Sequence, residues 1–277
     1  MAEQLQTLLN DAERAEVAVT FAEDDTAKCY VHRAPYAPAL YRRVLDLTER
    51  RHRALDVGCG PGKVARVLAD HFDDVIALDP AAAMLAVGQV ADSERHPNIT
   101  WVCAHAEDFE DARGFDLVTA GSSIHWPDHA KLFPKLTEWT GLVAVIDGDS
   151  PSPHPCGEGA WLDFLKPWLK RMAEQTPGIR RPYDPVASRN EASRHEAWMD
   201  ISGRESFPFV FRQSLKDFIA CQHSRATWSR AAMGPDLSGQ FDAELDALMR
   251  PFAVDGWLEL QMVSNLVWGA PRRTRRT

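Results

Sequence analysis

Leu55-Asp56-Val57-Gly58-Cys59-Gly60-Pro61-Gly62-Lys63 is the stretch on which the reading of this chain turns. Ala54 to Val57 is a short apolar run between the charged segment 49–53 and a glycine turn, which predicts a strand, and Lys63 to His71 predicts the helix that follows. Glycines at Gly58, Gly60 and Gly62 allow a tight turn and a close backbone approach to a ligand, although a plain turn uses glycine too. Their spacing separates the ligand classes. A dinucleotide loop places its third glycine three residues after the second, whereas Gly62 follows Gly60 by two, and the Gly-Lys-Ser/Thr order of a phosphate loop is absent. Pro61 sits where a helix begins and needs no N–H. The loop therefore favours a small nucleoside over a pyrophosphate.

Working outward, Asp74 to Leu78 predicts a second strand that ends on Asp79 and Pro80. A carboxylate at this strand end accepts hydrogen bonds from both hydroxyls of a ribose, or else caps the helix starting near Ala81. The alternation continues with a helix over Ala81–Val90, strands over Ile99–Cys103 and Phe115–Thr119, a helix over Ala130–Thr137 and a strand over Leu142–Ile146. Apolar runs of this length separated by helices specify a parallel sheet covered on both faces, with right-handed crossovers. Upstream lie an amphipathic stretch Leu5–Val17, an acidic run Glu23-Asp24-Asp25 and a helix over Pro38–Thr48. Downstream, a turn-rich segment 149–159 leads to helices over Trp161–Ala173 and Ala192–Met199, the latter after an irregular segment Pro177–Arg189. A strand over Glu205–Phe211, helices over Leu215–Ser229 and Phe241–Met249, and a strand over Leu258–Trp268 complete the chain. The expected fold is α/β: a Rossmann-like, doubly wound seven-stranded sheet, mostly parallel with an antiparallel edge strand, plus a helical lid insertion. The expected organisation is an N-terminal helical arm (1–50), a nucleoside-binding core (51–150), a helical lid (151–202 and 212–255), terminal sheet strands (203–211 and 256–269) and a basic tail (270–277).

Composition sets outer limits. The 277 residues suit one large domain or a core with an insertion, and 45% hydrophobic with 26% charged residues is an ordinary globular balance. A net charge of -9 opposes a nucleic-acid partner, and the arginines of the tail, Arg272, Arg273, Arg275 and Arg276, read as a frayed, solvated end. Five scattered cysteines form neither a disulfide framework nor a zinc site, and no stretch has the length and apolarity of a membrane span. With no basic leader followed by an apolar run, the expectation is a soluble cytoplasmic protein, monomer or homodimer, without a metal.

The glycine motif, Asp79 and the strand order together resemble the class I S-adenosylmethionine-dependent methyltransferases, in particular the small-molecule branch that includes the ubiquinone and menaquinone C-methyltransferases and the trans-aconitate O-methyltransferases. The resemblance is specific from about Tyr30 to Trp139 and weaker, by strand order, to Trp268. It implies S-adenosyl-L-methionine as cofactor, with Asp56, Gly58, Gly60 and Gly62 around its methionine part and Asp79, beside Pro80, on its ribose. It implies Met84, Ala106 and Glu107 at the adenine, and Gly121-Ser122 facing the methionine. His105 stands where the family commonly has an aspartate, so either His105, Glu107 or Asp108 takes the adenine amino group. Tyr30, Arg33 and Tyr36 fall where the family closes an aromatic and arginine segment over the cofactor and substrate.

The loop Ser122-Ser123-Ile124-His125-Trp126-Pro127-Asp128 follows a central strand at its carboxyl end, where doubly wound sheets expose their chemistry. His125 is the candidate general base, since an unperturbed imidazole with a pKa near about 6.5 takes a proton from a hydroxyl or amine. A role confined to orienting the loop, contacting substrate or capping the next helix is the alternative. Trp126 is a candidate pocket wall, as are Tyr36, Trp161 and His223, although aromatics spaced three and four apart, as in Trp161, Phe164 and Trp168, also make core. The expected activity is methyl transfer to an oxygen or nitrogen of a small molecule. Carbon or carboxyl oxygen acceptors, a nicotinamide-dependent oxidoreductase, and a non-catalytic cofactor-binding protein are the alternatives.

Overall fold

The computed structural model describes residues 21, 23–92, 95–148, 150–175 and 193–273. The expected helix over Leu5–Val17, the irregular Pro177–Arg189 and the tail arginines Arg275 and Arg276 lie outside them. In chain order the elements are α1 (Asp24–Tyr30), α2 (Pro38–Asp46), β1 (Arg53–Val57), α3 (Ala65–Ala69), β2 (Asp74–Asp79), α4 (Ala82–Asp92), β3 (Ile99–Cys103), β4 (Leu117–Gly121), α5 (His129–Trp139) and β5 (Val143–Asp147). They are followed by α6 (Glu158–Gln175), β6 (Met199–Ser214), α7 (Leu215–Gln222), α8 (Arg230–Met249) and β7 (Trp257–Pro271).

The strands form one seven-stranded sheet in the order β3-β2-β1-β4-β5-β7-β6. The five strands β1 to β5 pair in parallel, with Leu55 opposite Ile76 on one side and Val118 on the other. β7 enters antiparallel between β5 and β6. The reversal of order between β1 and β4 opens a crevice above the carboxyl ends of those strands, which is where ligands of such sheets bind.

Residues alternate across the sheet as the pleat requires. Ala54, Val75 and Leu117 pack on one face against Leu40 and Val44 of α2 and Leu68 of α3. Leu55, Ile76 and Val118 pack on the other against Leu132, Phe133 and Leu136 of α5. Burial on both faces is why β1, β2 and β4 read as unbroken apolar runs rather than alternating ones. A third cluster lies in the lid, where Trp168, Met172, Phe218, Trp228 and Phe241 pack over Leu258, Leu260 and Met262 of β7.

Several boundaries differ from the sequence reading. β4 begins two residues later than expected and runs to Gly121, because the carboxylate of Asp116 is occupied by the N–H groups of His52 and Arg53 and the strand then pairs with β5 as far as Gly121–Ile146. The helix after the glycine loop is short, Ala65–Ala69, with Gly62 to Val64 still in turns. The segment read as a helix over Ala192–Met199 is a 3-10 turn, Arg194–Trp198, and Met199 already belongs to β6.

The two terminal strands are longer than the 203–211 and 256–269 expected, at 16 and 15 residues. Their pairing runs end to end through a bulge between Ile201 and Gly203, and the Trp268 ring lies so close over Gly203 that a Cβ there would sit 2.2 Å from it. Mutual hydrogen bonding along this strand pair holds polar stretches in strand conformation that their own pattern does not specify. The helix expected over Leu215–Ser229 stops at Gln222, and α8 begins at Arg230, capped by the Ser229 side chain and broken at Gly234 before Pro235. Arg272, read as part of a frayed tail, instead grips the start of β6 through Asp200 and the carbonyls of Ala197 and Met199. Among the described residues no helix is long and apolar enough to cross a membrane.

Candidate functional site

The glycine loop adopts left-handed backbone at all three glycines, with φ of 62° at Gly58, 54° at Gly60 and 80° at Gly62. At two of them the close approach is made by the protein itself. A Cβ on Gly58 would fall 2.5 Å from the Cβ of Ser123, and one on Gly62 would fall 2.4 Å from the ring of Trp101. Gly60 alone faces a looser neighbour, the Tyr30 ring at 3.8 Å. The loop is thus clamped at both ends by β3 and the segment after β4, and its middle is turned to the arm.

Two buried carboxylates hold this turn from below. Asp79 accepts from the N–H of Gly60 at 2.8 Å through one oxygen and from the N–H of Ala81 at 2.8 Å through the other. Asp79 thus holds the N–H just ahead of α4 and closes β2 at its carboxyl end beside the glycine turn. A carboxylate has about four acceptor positions, so two remain for hydroxyl donors. Burial raises the Asp79 pKa against the pull of those two N–H groups and of His105. Asp56 accepts from the Ala65 N–H and from the Thr119 hydroxyl at 3.1 and 2.8 Å and is fully buried, so its pKa is pushed up to about 7 by desolvation. It holds the start of α3 and ties it to β4, and it also lines the small cavity above the loop.

The residues expected at the adenine have separate surroundings. Met84 is buried against Ala27, Phe21 and Tyr30 of the arm. Ala106 is buried in the core below the sheet end. Glu107 spends one oxygen on the N–H of Asp128 at 2.6 Å, fixing the loop that carries His125 and Trp126. The carbonyl of His105 accepts the N–H groups of Asp108 and Phe109, and that of Pro80 accepts the thiol of Cys103.

Just beyond β4, Ser122 holds a left-handed backbone with φ of 52°, a sparsely populated state for a residue with a side chain. Its hydroxyl lies 3.0 Å from the Tyr36 hydroxyl and donates to Asp147 at 3.1 Å. Asp147 had not been singled out in the sequence. The signal for it was present, a charged residue closing the apolar run Val-Ala-Val-Ile-Asp at the carboxyl end of β5. His125 lies with its ring 4.7 Å from that of Trp126, which in turn meets Phe21 edge-on at 5.6 Å.

Arg33 stacks on Tyr30 at 4.1 Å and donates to the side chain and carbonyl of Ser224 in the lid, at 2.8 and 2.9 Å. Tyr30, Tyr36, Gly58, Lys63 and Gly121 enclose a cavity of about 10 Å³ above the loop. Two expected pocket residues belong to the interior of the lid instead. Trp161 stacks on His154 at 4.0 Å and packs against Phe218. His223 is fully buried, with Nδ1 at 2.6 Å from the Trp228 carbonyl and Nε2 at 2.6 Å from Asp242, so neither ring nitrogen is left for a substrate. Among the described residues no group of three or more His, Cys, Asp or Glu is placed to hold a metal ion.

The lining fits the nucleoside expected from the sequence: a buried carboxylate at the β2 end, a left-handed glycine turn whose middle carries no side chain, and apolar side chains at Met84 and Ala106. Comparison with known proteins agrees. Residues 54–141 match the methyltransferase domain family. A trans-aconitate 2-methyltransferase from Yersinia pseudotuberculosis is 36% identical over 193 residues, 65% of this chain and 69% of that one. Another from Methylobacterium radiotolerans is 35% identical over 127 residues, 40% of this chain and 46% of that one. The chain spans 38%, 46% and 59% of the length of the first three curated relatives it matches. Among solved structures, a protein from Anaeromyxobacter dehalogenans assigned as a type II methyltransferase shares the fold at a TM-score of 0.60 and 22% identity, over 87% of this chain and 97% of that one. By sequence and by fold, this chain belongs to the class I S-adenosyl-L-methionine-dependent methyltransferases, with trans-aconitate methyltransferases among its relatives.

Proposed function

We propose that the protein transfers the methyl group of S-adenosyl-L-methionine to an oxygen or nitrogen of a small-molecule acceptor. The observation that carries this reading is the braced pair of Asp79 and the left-handed glycine loop, a nucleoside-sized cradle at the sheet's switch point, in a chain of this family. The names of the relatives, trans-aconitate 2-methyltransferases, favour an organic acid as acceptor.

S-adenosylmethionine supplies an electrophilic methyl group on sulfur and carries its own neutral leaving group, so the chain has to bind, align and dry the site. In this reading Asp79 accepts the ribose hydroxyls, Met84 and Ala106 flank the adenine, and Gly58, Gly121 and Ser122 border the methionine part. Tyr30, Arg33 and Tyr36 form the cover. Since the cavity under that cover is about 10 Å³, room for one water, the arm moves outward to admit the cofactor and returns over it. For a hydroxyl or amine acceptor His125 takes the proton as the methyl group is transferred. For a carboxylate acceptor no base is needed and His125 binds or orients it.

The test is incubation with methyl-labelled S-adenosylmethionine and a panel of organic acids, phenols and amines, followed by mass spectrometry. One compound is expected to gain the label, with S-adenosylhomocysteine released in equal amount. Tight binding of S-adenosylhomocysteine with no acceptor methylated from any class would favour the non-catalytic alternative. Stabilisation by a reduced nicotinamide instead would overturn the cofactor reading.

A further inference from the structure

Outside the glycine loop, between the arm, the first turn of α3 and the lid-side end of the β6/β7 pair, lies a cavity of about 400 Å³. It is a different place from the methyl-transfer crevice. Gly121, Ser122, His125 and Trp126 take no part in its walls, and it touches the small cavity above the loop only through Tyr30 and Lys63. Its volume is in the range of a site for a small organic molecule and exceeds what a bare ion needs.

The charge of these walls runs against that of the molecule. In a chain with 31 basic and 40 acidic residues, the cavity is lined by Arg33, Lys63, Arg66 and Arg212 against one carboxylate, Asp217. Asp217 is already engaged, at 3.2 Å from Nδ1 of His32. Elsewhere Arg53, Arg204, Arg250 and Arg272 each form an ion pair with an aspartate or glutamate. The two cavity arginines Arg66 and Arg212 have other partners. Arg66 donates to the carbonyl of Pro61, Arg212 lies 5.1 Å from the centre of the Trp257 ring, and among the described residues neither makes an ion pair.

Two guanidinium groups on different elements, α3 and β6, each able to grip an acid group with two parallel N–H bonds, suit a ligand with acid groups at two points. In the same walls Trp257 and Phe211 offer apolar surface to a short carbon skeleton. We propose that this cavity binds a small organic polyanion, a di- or tricarboxylate, held by Arg66 and Arg212. The proposal goes beyond methyl transfer and does not depend on it.

The probe is citrate, titrated calorimetrically into the full chain at constant ionic strength, with inorganic phosphate as the single-centre anion and Arg171→Gln as a surface control. Saturable binding of one citrate per chain is expected, weakened about tenfold or more by Arg66→Gln and by Arg212→Gln, and unchanged in the control. Circular dichroism and S-adenosylhomocysteine affinity report whether each variant is folded. Arg66→Lys and Arg212→Lys keep the charge and lose the fork, so they should fall between wild type and the Gln variants. No saturable citrate binding overturns the proposal. So does citrate affinity untouched by either Gln variant, which would put the ligand elsewhere. Phosphate binding as tightly as citrate rules out two-point recognition, and equal weakening in the control reduces the effect to general charge.

Discussion

Asp79 illustrates how one side chain can serve the fold and the ligand together. Its oxygens already brace Gly60 and Ala81, so removing it loosens the loop as well as taking away an acceptor. Asp79→Ala should weaken S-adenosylhomocysteine binding by about 1.5 to 3 kcal/mol, the range for hydrogen bonds to charged groups. Asp79→Asn keeps one acceptor oxygen and should lose less, and calorimetry giving equal losses for the two would mean that the carboxylate acts only on the loop. His125 makes the sharper separation. If it is the base, His125→Ala should lower kcat by roughly 100-fold or more while sparing cofactor affinity, and the rate should lose its acidic limb. A change confined to KM would make it a binding residue for an acceptor already ionised.

Helix starts and ends around the loop carry their own titrations. Asp56, which caps α3 from inside the sheet, has a folded pKa of about 7, raised by burial above the usual carboxylate range. The folded state therefore holds a proton that the unfolded chain has released, and this group's contribution falls as pH rises from about 4 to 7. Asp56→Asn keeps the Ala65 contact without the charge, so its stability relative to wild type should improve across that window by about 1 to 3 kcal/mol, read from denaturant midpoints at pH 5 and pH 8.

His96 behaves in the opposite sense. Burial lowers its pKa, but hydrogen bonds to Asp92 of α4 and Asp70 after α3 outweigh that and raise it. Its stabilisation is present in full below about pH 6.5 and fades as pH rises through the folded value. The gap between wild type and His96→Gln should be about 1 kcal/mol at pH 5.5, small because Asp70 is half exposed and screened, and should shrink by pH 8.5.

Across the molecule, the arm is latched to the lid as well as laid over the core. Arg33 binds Ser224, the Gln213 side chain binds the His32 carbonyl, and Asp25 lies 3.6 Å from Arg230. If the cofactor enters only when this latch opens, Ser224→Ala should speed its association by up to about tenfold, one hydrogen bond's worth, in stopped-flow fluorescence of the lid tryptophans. An unchanged association rate would mean that the arm moves without breaking the latch. Turnover should also survive exhaustive chelation, because the methyl donor brings its own leaving group. A loss restored by one divalent ion would reveal a metal requirement.

The core half of this protein was legible because its signals are local. A strand buried on both faces is an unbroken apolar run, a left-handed turn with close neighbours demands glycine, and an acid at a strand end declares itself, so β1 to β5, the glycine loop and Asp79 were all readable in order. What the tertiary structure alone decided involves partners distant in sequence. The length of β6 comes from pairing with β7, whose partners lie from Ser214–Trp257 to Met199–Pro271 across two intervening α-helices, which gives polar residues a strand conformation that their own pattern leaves open. Trp161 and His223 looked like pocket residues because aromatic and polar side chains at helical spacing suit core and cavity alike, and only the packing of α6 and α8 turned them inward. Asp147 meets Ser122, which in turn meets Tyr36, and Arg66 and Arg212 line one cavity, because β5, β6, α3 and the arm converge above the sheet. No periodicity encodes that convergence, since it is set by how the elements pack.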